Sequence, residues 1–315
     1  MSIIERAVKL LDPNEPPNSK PSAPGTLDPI ARAFTDGVER FGLPEAGELE
    51  ALLEPSGFAV ESKTKVKSAR ITNRTIRTLS IDRDQLRRQG IITPEGERTP
   101  NAERFRRIKR QILANVANSK TGPRANLVLV SSALAGEGKT FCAINLAISI
   151  ALEVDRTVLL VDADVAKPTI PQALGVKAEH GLMDVLDRGI DLADVLCATD
   201  IGKLTLLPAG TAHQHATELL ASDAMRMLLR ELAERYNNRI IIFDSPPLLA
   251  ASEADVLASQ MGQIVMVVEA GKTSEAVLRA ALGRIESSNV VGLVLNKTEG
   301  SGMEYDYGEY GYGAK

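Results

Sequence analysis

Ser131-Ser132-Ala133-Leu134-Ala135-Gly136-Glu137-Gly138-Lys139-Thr140 joins an apolar run of strand length to one of helix length. Residues 126–131 (Asn-Leu-Val-Leu-Val-Ser) read as a buried strand, and residues 141–153, from Phe141 to Glu153, read as a largely buried helix. The small residues between them let backbone N–H groups turn inward around a polyphosphate, while the helix N-terminus adds a partial positive charge. Lys139 is placed to reach the β- and γ-phosphates, and Thr140 to bind Mg²⁺. The strict pattern G-x-x-x-x-G-K-[ST] asks for glycine where this chain has Ala133, a departure of one methyl group. A plain glycine-rich connector would account for the glycines but not for a lysine in the first turn of so apolar a helix.

Downstream, apolar runs of strand length recur at 157–161, 204–207, 239–243, 263–269 and 291–296, with helical patterns between most of them. The alternation predicts an α/β fold with a mostly parallel sheet, helices on both faces, and ligands at the C-terminal ends of the strands. Two strands end in acids. Thr157-Val-Leu-Leu-Val-Asp-Ala-Asp puts Asp162 and Asp164 just past one strand, and Arg239-Ile-Ile-Ile-Phe-Asp-Ser-Pro-Pro ends another in Asp244. Like charges gathered beside a Gly-Lys-Thr loop need a cation, which reads as a Mg²⁺–ATP site. Asn296 and Lys297, at the end of the last run, stand where nucleoside triphosphatases of this build often contact the base. Glu299 takes the place of the base-reading aspartate of GTPases, so spacing alone leaves guanine open.

The 315 residues suffice for one large domain with an appendage. Net charge is −4, yet residues 61–110 hold 15 Lys/Arg against 6 Asp/Glu, a local +9 that leaves −13 elsewhere. Such a stretch suits anionic lipid or an acidic face of a neighbouring subunit. Phe105 is its one aromatic residue, so no nucleic acid is expected. Cys142 and Cys197 lack metal or CxxC spacing and point to a reducing compartment without disulfides. His213-x-His215 has no third ligand nearby and reads as surface loop. There is neither a signal-peptide core nor an apolar run of spanning length, so a cytoplasmic protein is expected.

Residues 1–75 read as a largely disordered extension with a short amphipathic helix (Ile3, Ile4, Ala7, Val8 and Leu11 on one side) followed by a Pro/Asn/Ser-rich linker. Residues 76–300 form the nucleotide domain, led by a charged helix over 101–116 with Phe105, Ile108, Ile112 and Leu113 on its apolar stripe. Residues 301–315 form a flexible tail carrying Tyr305, Tyr307, Tyr310 and Tyr312 among glycines and acids. Phenols tethered beside an ATP site become substrates at an effective concentration in the millimolar range, and each phosphate would add about −1.5 to −2 charges.

Residues 101–315 resemble the bacterial tyrosine kinases, Walker-type autokinases of the deviant, MinD-like P-loop architecture. The resemblance is carried by Gly-Glu-Gly-Lys-Thr (136–140), Asp-Ala-Asp (162–164), Gly-Leu-Met-Asp-Val-Leu (181–186), Leu-Leu-Pro-Ala-Gly (206–210), Glu-Leu-Leu-Ala-Ser (218–222), Phe-Asp-Ser-Pro-Pro (243–247) and the tyrosine tail. Ser-Ile-Ile-Glu-Arg-Ala near the N-terminus and Val-Asp-Ala-Asp-Val-Ala-Lys-Pro look more particularly like the autokinases of exosortase-type exopolysaccharide loci. The resemblance favours adenine and implies that Gly136, Glu137, Gly138, Lys139, Thr140, Phe141 and Asn296 surround the nucleotide. It further implies that Thr140, Asp164 and Asp244 hold Mg²⁺, and that Asp162 is the base for the incoming tyrosine.

The same resemblance implies a homo-oligomeric ring contacted through Glu103, Arg106 and Lys109, where the family pattern carries arginine at the third position. It implies phosphorylation of the tail in trans, a membrane polysaccharide co-polymerase partner at the inner membrane, and a tyrosine phosphatase. Ala135 and Ala166 stand where the family carries proline and arginine. The expected function is thus an ATP-dependent protein-tyrosine autokinase regulating exopolysaccharide polymerisation or export. A positioning ATPase of the MinD/ParA type is the alternative, although Leu134 replaces its second lysine; a non-enzymatic, nucleotide-gated adaptor is the third.

Overall fold

The computed structural model describes residues 78–96, 99–118, 122, 124–235, 238–285 and 290–298. The N-terminal helix and linker, Glu299 and the tyrosine tail of the sequence reading lie outside them. The described chain runs β1 (Thr78–Leu79), α1 (Arg83–Arg88), α2 (Pro100–Ala117), β2 (Leu127–Ser132), α3 (Lys139–Ala151), β3 (Thr157–Asp162), α4 (Ile170–Ala173), α5 (Leu182–Arg188), α6 (Leu192–Val195) and β4 (Cys197–Thr199). It continues through β5 (Leu204–Leu207), α7 (Ala216–Leu220), α8 (Asp223–Arg235), β6 (Arg239–Asp244), α9 (Ser252–Ala258), β7 (Gln263–Glu269), α10 (Glu275–Leu282) and β8 (Val290–Asn296).

The strands form one sheet in the order β1-β4-β5-β3-β6-β2-β7-β8, parallel throughout except for the β4–β5 pair. Because parallel strands are covered on both faces, their sequences are continuously apolar. β2 shows the consequence: Leu127 and Leu129 enter one core layer, and Val128 and Val130 the other. β2 lies between β6 and β7, so the loop leaving it opens at the carboxyl edge of the sheet, where the chain reverses its direction of strand addition. The apolar runs predicted strands to within a residue at each end. β1 and β4, two and three residues long, have no apolar run of their own and were not expected.

The charged helix α2 starts on a Thr99 cap, whose side chain accepts from Ala102 N, with Pro100 in its first turn. Its buried side packs on α3 through Phe105 and Ile112, with Phe105 edge-on to Phe141 at 6.2 Å and 64°. Each buried side chain contributes about 2 kcal/mol. Lys109 lies on this inner side, donating to Ser149 O at 2.9 Å and paired with Glu153. Six residues turn a helix through about 600°, roughly 120° short of two whole turns, which carries Lys109 away from Glu103 and toward the core.

Two stretches far apart in sequence, 181–186 and 206–210, close on each other. Leu182 N donates to Pro208 O and Met183 N to Ala209 O at 2.8 and 2.9 Å. A β-carbon on Gly181 would stand 2.0 Å from Pro208 O, so only glycine fits. Asp184 is the knot. Its carboxylate accepts from Gly181 N, Thr211 N and Thr211 Oγ1 at 3.0, 3.0 and 2.8 Å.

Burial pushes the Asp184 carboxyl up, but the Thr211 amide and hydroxyl, the Gly181 amide and the charge of His180 outweigh it and hold its pKa below the usual 3.8. A depressed folded-state pKa gives stability that is fully present above the unfolded value and lost as pH falls through the folded one. Asp184→Ala strands three donors and is expected to cost about 3 kcal/mol at neutral pH. Chemical denaturation should show that deficit shrinking as the pH is taken below 3.8.

Candidate active site

The loop from β2 to α3 is shaped by two left-handed glycines, Gly136 at φ 86° and Gly138 at φ 97°. A β-carbon on Gly138 would also lie 2.1 Å from Asn296 Nδ2. Carbonyls in this loop point outward: Asn296 Nδ2 donates to Glu137 O at 2.9 Å, and Lys297 Nζ to Gly136 O at 2.6 Å. In a planar trans peptide the next N–H points the opposite way, so these bonds turn the amides of Glu137 and Gly138 toward the cradle. α3 opens on Gly138 with no side-chain cap, leaving its N-terminal dipole for a ligand.

Three acids gather beside this loop. Asp162 and Asp244 are register partners on β3 and β6, both fully buried. Asp162 Oδ2 accepts from Ile170 N at 3.0 Å, while its Oδ1 and both oxygens of Asp244 find no hydrogen-bond partner among the described residues. Burial, reinforced for Asp162 by the charge of Asp164, pushes its carboxyl up to about 7. Burial also lifts Asp244 to about 7, against the opposing charge of Lys139. Asp164 instead pairs with Lys139 Nζ at 2.8 Å and accepts from Lys167 N at 3.2 Å.

Thr140, at the start of α3, receives a long contact from Thr169 Oγ1 at 3.4 Å. Hydroxyl and carboxylate oxygens make a hard donor set suited to Mg²⁺. Among the described residues no three acids close into a ready-made metal cage. Mg²⁺ does not require one, since it keeps several waters and takes one or two carboxylates plus substrate phosphates. The orphaned oxygens of Asp244 are what such an ion would satisfy, so the residues fit it.

Gly136, Glu137, Gly138, Lys139, Thr140, Asp162, Asp164 and Asp244 thus come together as the sequence implied. Phe141 is in the first turn of α3, but its ring is against Phe105. Asn296 reaches the loop through its amide, which braces the Glu137 carbonyl. Glu103 and Arg106 pair with each other at 2.8 Å on the outer side of α2, whereas Lys109 is engaged inside the chain. Sequence reasoning missed Thr273 and Glu269, which join the site from the β7 end. Thr273 Oγ1 donates to the Glu137 carboxylate, and Glu269 pairs with Lys297 and Lys272 at 3.3 Å each.

A family profile described as an AAA domain matches residues 125–287, the stretch that carries the loop and all three acids. Tyrosine-protein kinase YwqD of Bacillus subtilis is 30% identical over 236 residues, which cover 74% of this chain and 96% of that one. The chain belongs to the bacterial tyrosine-protein kinases. Among the other members, tyrosine-protein kinase ptk of Acinetobacter johnsonii is 29% identical over 184 residues, 58% of this chain but 25% of that longer protein. The crystal structure of the chimerical protein CapA2B2 superposes with a TM-score of 0.59 at 26% identity, covering 71% of this chain and 95% of that one.

As a bacterial tyrosine kinase, the chain uses a P-loop fold whose glycines, lysine and strand-end acids occupy one edge of a parallel sheet. No helix among the described residues is long and apolar enough to cross a membrane.

Proposed function

We propose that this kinase transfers the γ-phosphoryl group of Mg²⁺–ATP to tyrosines 305, 307, 310 and 312 of a neighbouring subunit's tail. The observation that carries the reading is the convergence of Lys139, Thr140 and three strand-end aspartates on one glycine loop, in a chain whose tail gathers four of its five tyrosines. Inward amides and Lys139 hold the β- and γ-phosphates, and the Lys139–Asp164 pair is exchanged for phosphate when ATP enters. Thr140, Asp164 and Asp244 would hold Mg²⁺, whose charge would offset that developing on the transferred group. Asp162, with one oxygen fixed by Ile170 N and the other free, accepts the phenolic proton as the tyrosine oxygen bonds to the γ-phosphorus and ADP leaves. Its raised pKa near 7 suits a base working at neutral pH.

In this reading residues 1–75 are an extension of the nucleotide domain, which spans 76–300, and residues 301–315 are its substrate. Subunits assemble through the exposed Glu103–Arg106 side of α2. Phosphorylation adds charge to an acidic tail and drives subunits apart, which couples the enzyme to exopolysaccharide polymerisation or export. A membrane co-polymerase recruits the cytoplasmic kinase to the inner membrane, and a tyrosine phosphatase resets it. Purified full-length protein incubated with Mg²⁺–ATP, with and without such a partner, should carry phosphate on Tyr305, Tyr307, Tyr310 or Tyr312 by mass spectrometry. Unmodified tails in both preparations would overturn the reading.

A further inference from the structure

We infer that Thr273 is a positioning residue for nucleotide, acting on the phosphate loop through the buried side chain of Glu137. The inference rests on the reading of that loop as the Mg²⁺–ATP cradle. Glu137 is 2% exposed, and its carboxylate faces away from solvent. One oxygen accepts from Leu134 N at 2.7 Å, closing the loop on itself; the other accepts from Thr273 Oγ1. Glu137 therefore meets a ligand through its backbone amide, while its side chain is spent on holding the loop.

Thr273 is fixed in turn. Its hydroxyl oxygen accepts from Glu269 N at 3.2 Å, and its own amide donates to Glu269 O at 3.1 Å, so the hydroxyl proton is left to point at Glu137. Both uses of the hydroxyl are thereby assigned. β7, which pairs directly with β2, thus clamps the far end of the loop it flanks. The ends of β7 and β8 act together: Ala270 N donates to Asn296 O at 2.9 Å, and Glu269 holds Lys297 against the Gly136 carbonyl. A charge-assisted bond at the hinge of this clamp helps fix which way two successive peptides, Gly136–Glu137 and Glu137–Gly138, face, and so how many amides meet the phosphates.

Thr273→Val keeps the shape of the side chain and removes the donor; Thr273→Ser restores the donor alone. Calorimetric titration with Mg²⁺–ATP should give a Kd about tenfold weaker for Thr273→Val and within about twofold of the unsubstituted chain for Thr273→Ser. KM for ATP should rise in parallel, with thermal midpoints recorded for each variant. In a Glu137→Ala background, adding Thr273→Val should change Kd by less than about twofold. Unchanged binding by Thr273→Val, failure of serine to restore it, or an equal loss in the Glu137→Ala background would overturn the inference while leaving the kinase reading intact. An unsubstituted chain that bound no Mg²⁺–ATP would overturn both.

Discussion

Lys139→Met is expected to slow tyrosine phosphorylation by about 10³-fold, the scale of removing a preorganised charge aimed at a transferring group. The Lys139 side chain is 14% exposed beside the strand-end acids, and Lys297, close to the same loop, is committed to the Gly136 carbonyl and Glu269. The variant should still fold. Asp164 keeps the Lys167 amide as a donor, and Asp162 and Asp244 already take up protons near pH 7, which limits the repulsion released when the lysine is lost. Initial rates with γ-labelled ATP, beside a thermal melt, check both halves. Activity within tenfold of the unsubstituted chain would remove Lys139 from the phosphate site.

Asp244→Asn should divide activity from stability. Mg²⁺-dependent transfer is expected to fall by about 10³-fold, because a metal-holding carboxylate becomes a neutral amide. Without Mg²⁺ and nucleotide, the thermal midpoint should rise, since the substitution removes a fully buried charge whose two oxygens find no donor among the described residues. Calorimetry in chelator and a Mg²⁺ titration of the rate read the two effects separately. A variant that is less stable in chelator would mean that Asp244 holds the fold together and is not kept for an ion.

The strands around the site were legible because parallel, doubly covered strands must be apolar along their whole length, and four of them, β2, β3, β6 and β8, lead into residues that chemistry can interpret. Glycines at 136 and 138 were equally legible, since left-handed turns and close approach leave few alternatives. β1, at the sheet edge, and β4, next to it, were not, because runs of two or three residues are too short to show a period. Asn296 was read as a base contact from its place at a strand end. Its amide is turned instead onto Glu137 O, a choice set by the 2.9 Å approach of the two loops and invisible in spacing.

Lys109 shows a different limit. Its place in a spaced charge motif with Glu103 and Arg106 gives no sign of the inner side of α2 on which it lies, or of its bond to Ser149 O. Thr273 offered no signal at all, since a lone threonine in a loop acquires meaning only from a partner 136 residues away.

The most direct test mixes two chains, each deficient in one part. A Lys139→Met chain with its four tail tyrosines intact is combined with a chain of functional pocket whose four tyrosines are phenylalanine, and labelled Mg²⁺–ATP is added. The account predicts label on the tail of the Lys139→Met chain in the mixture and on neither chain alone. A mixture that binds ATP yet leaves that tail unlabelled would contradict it.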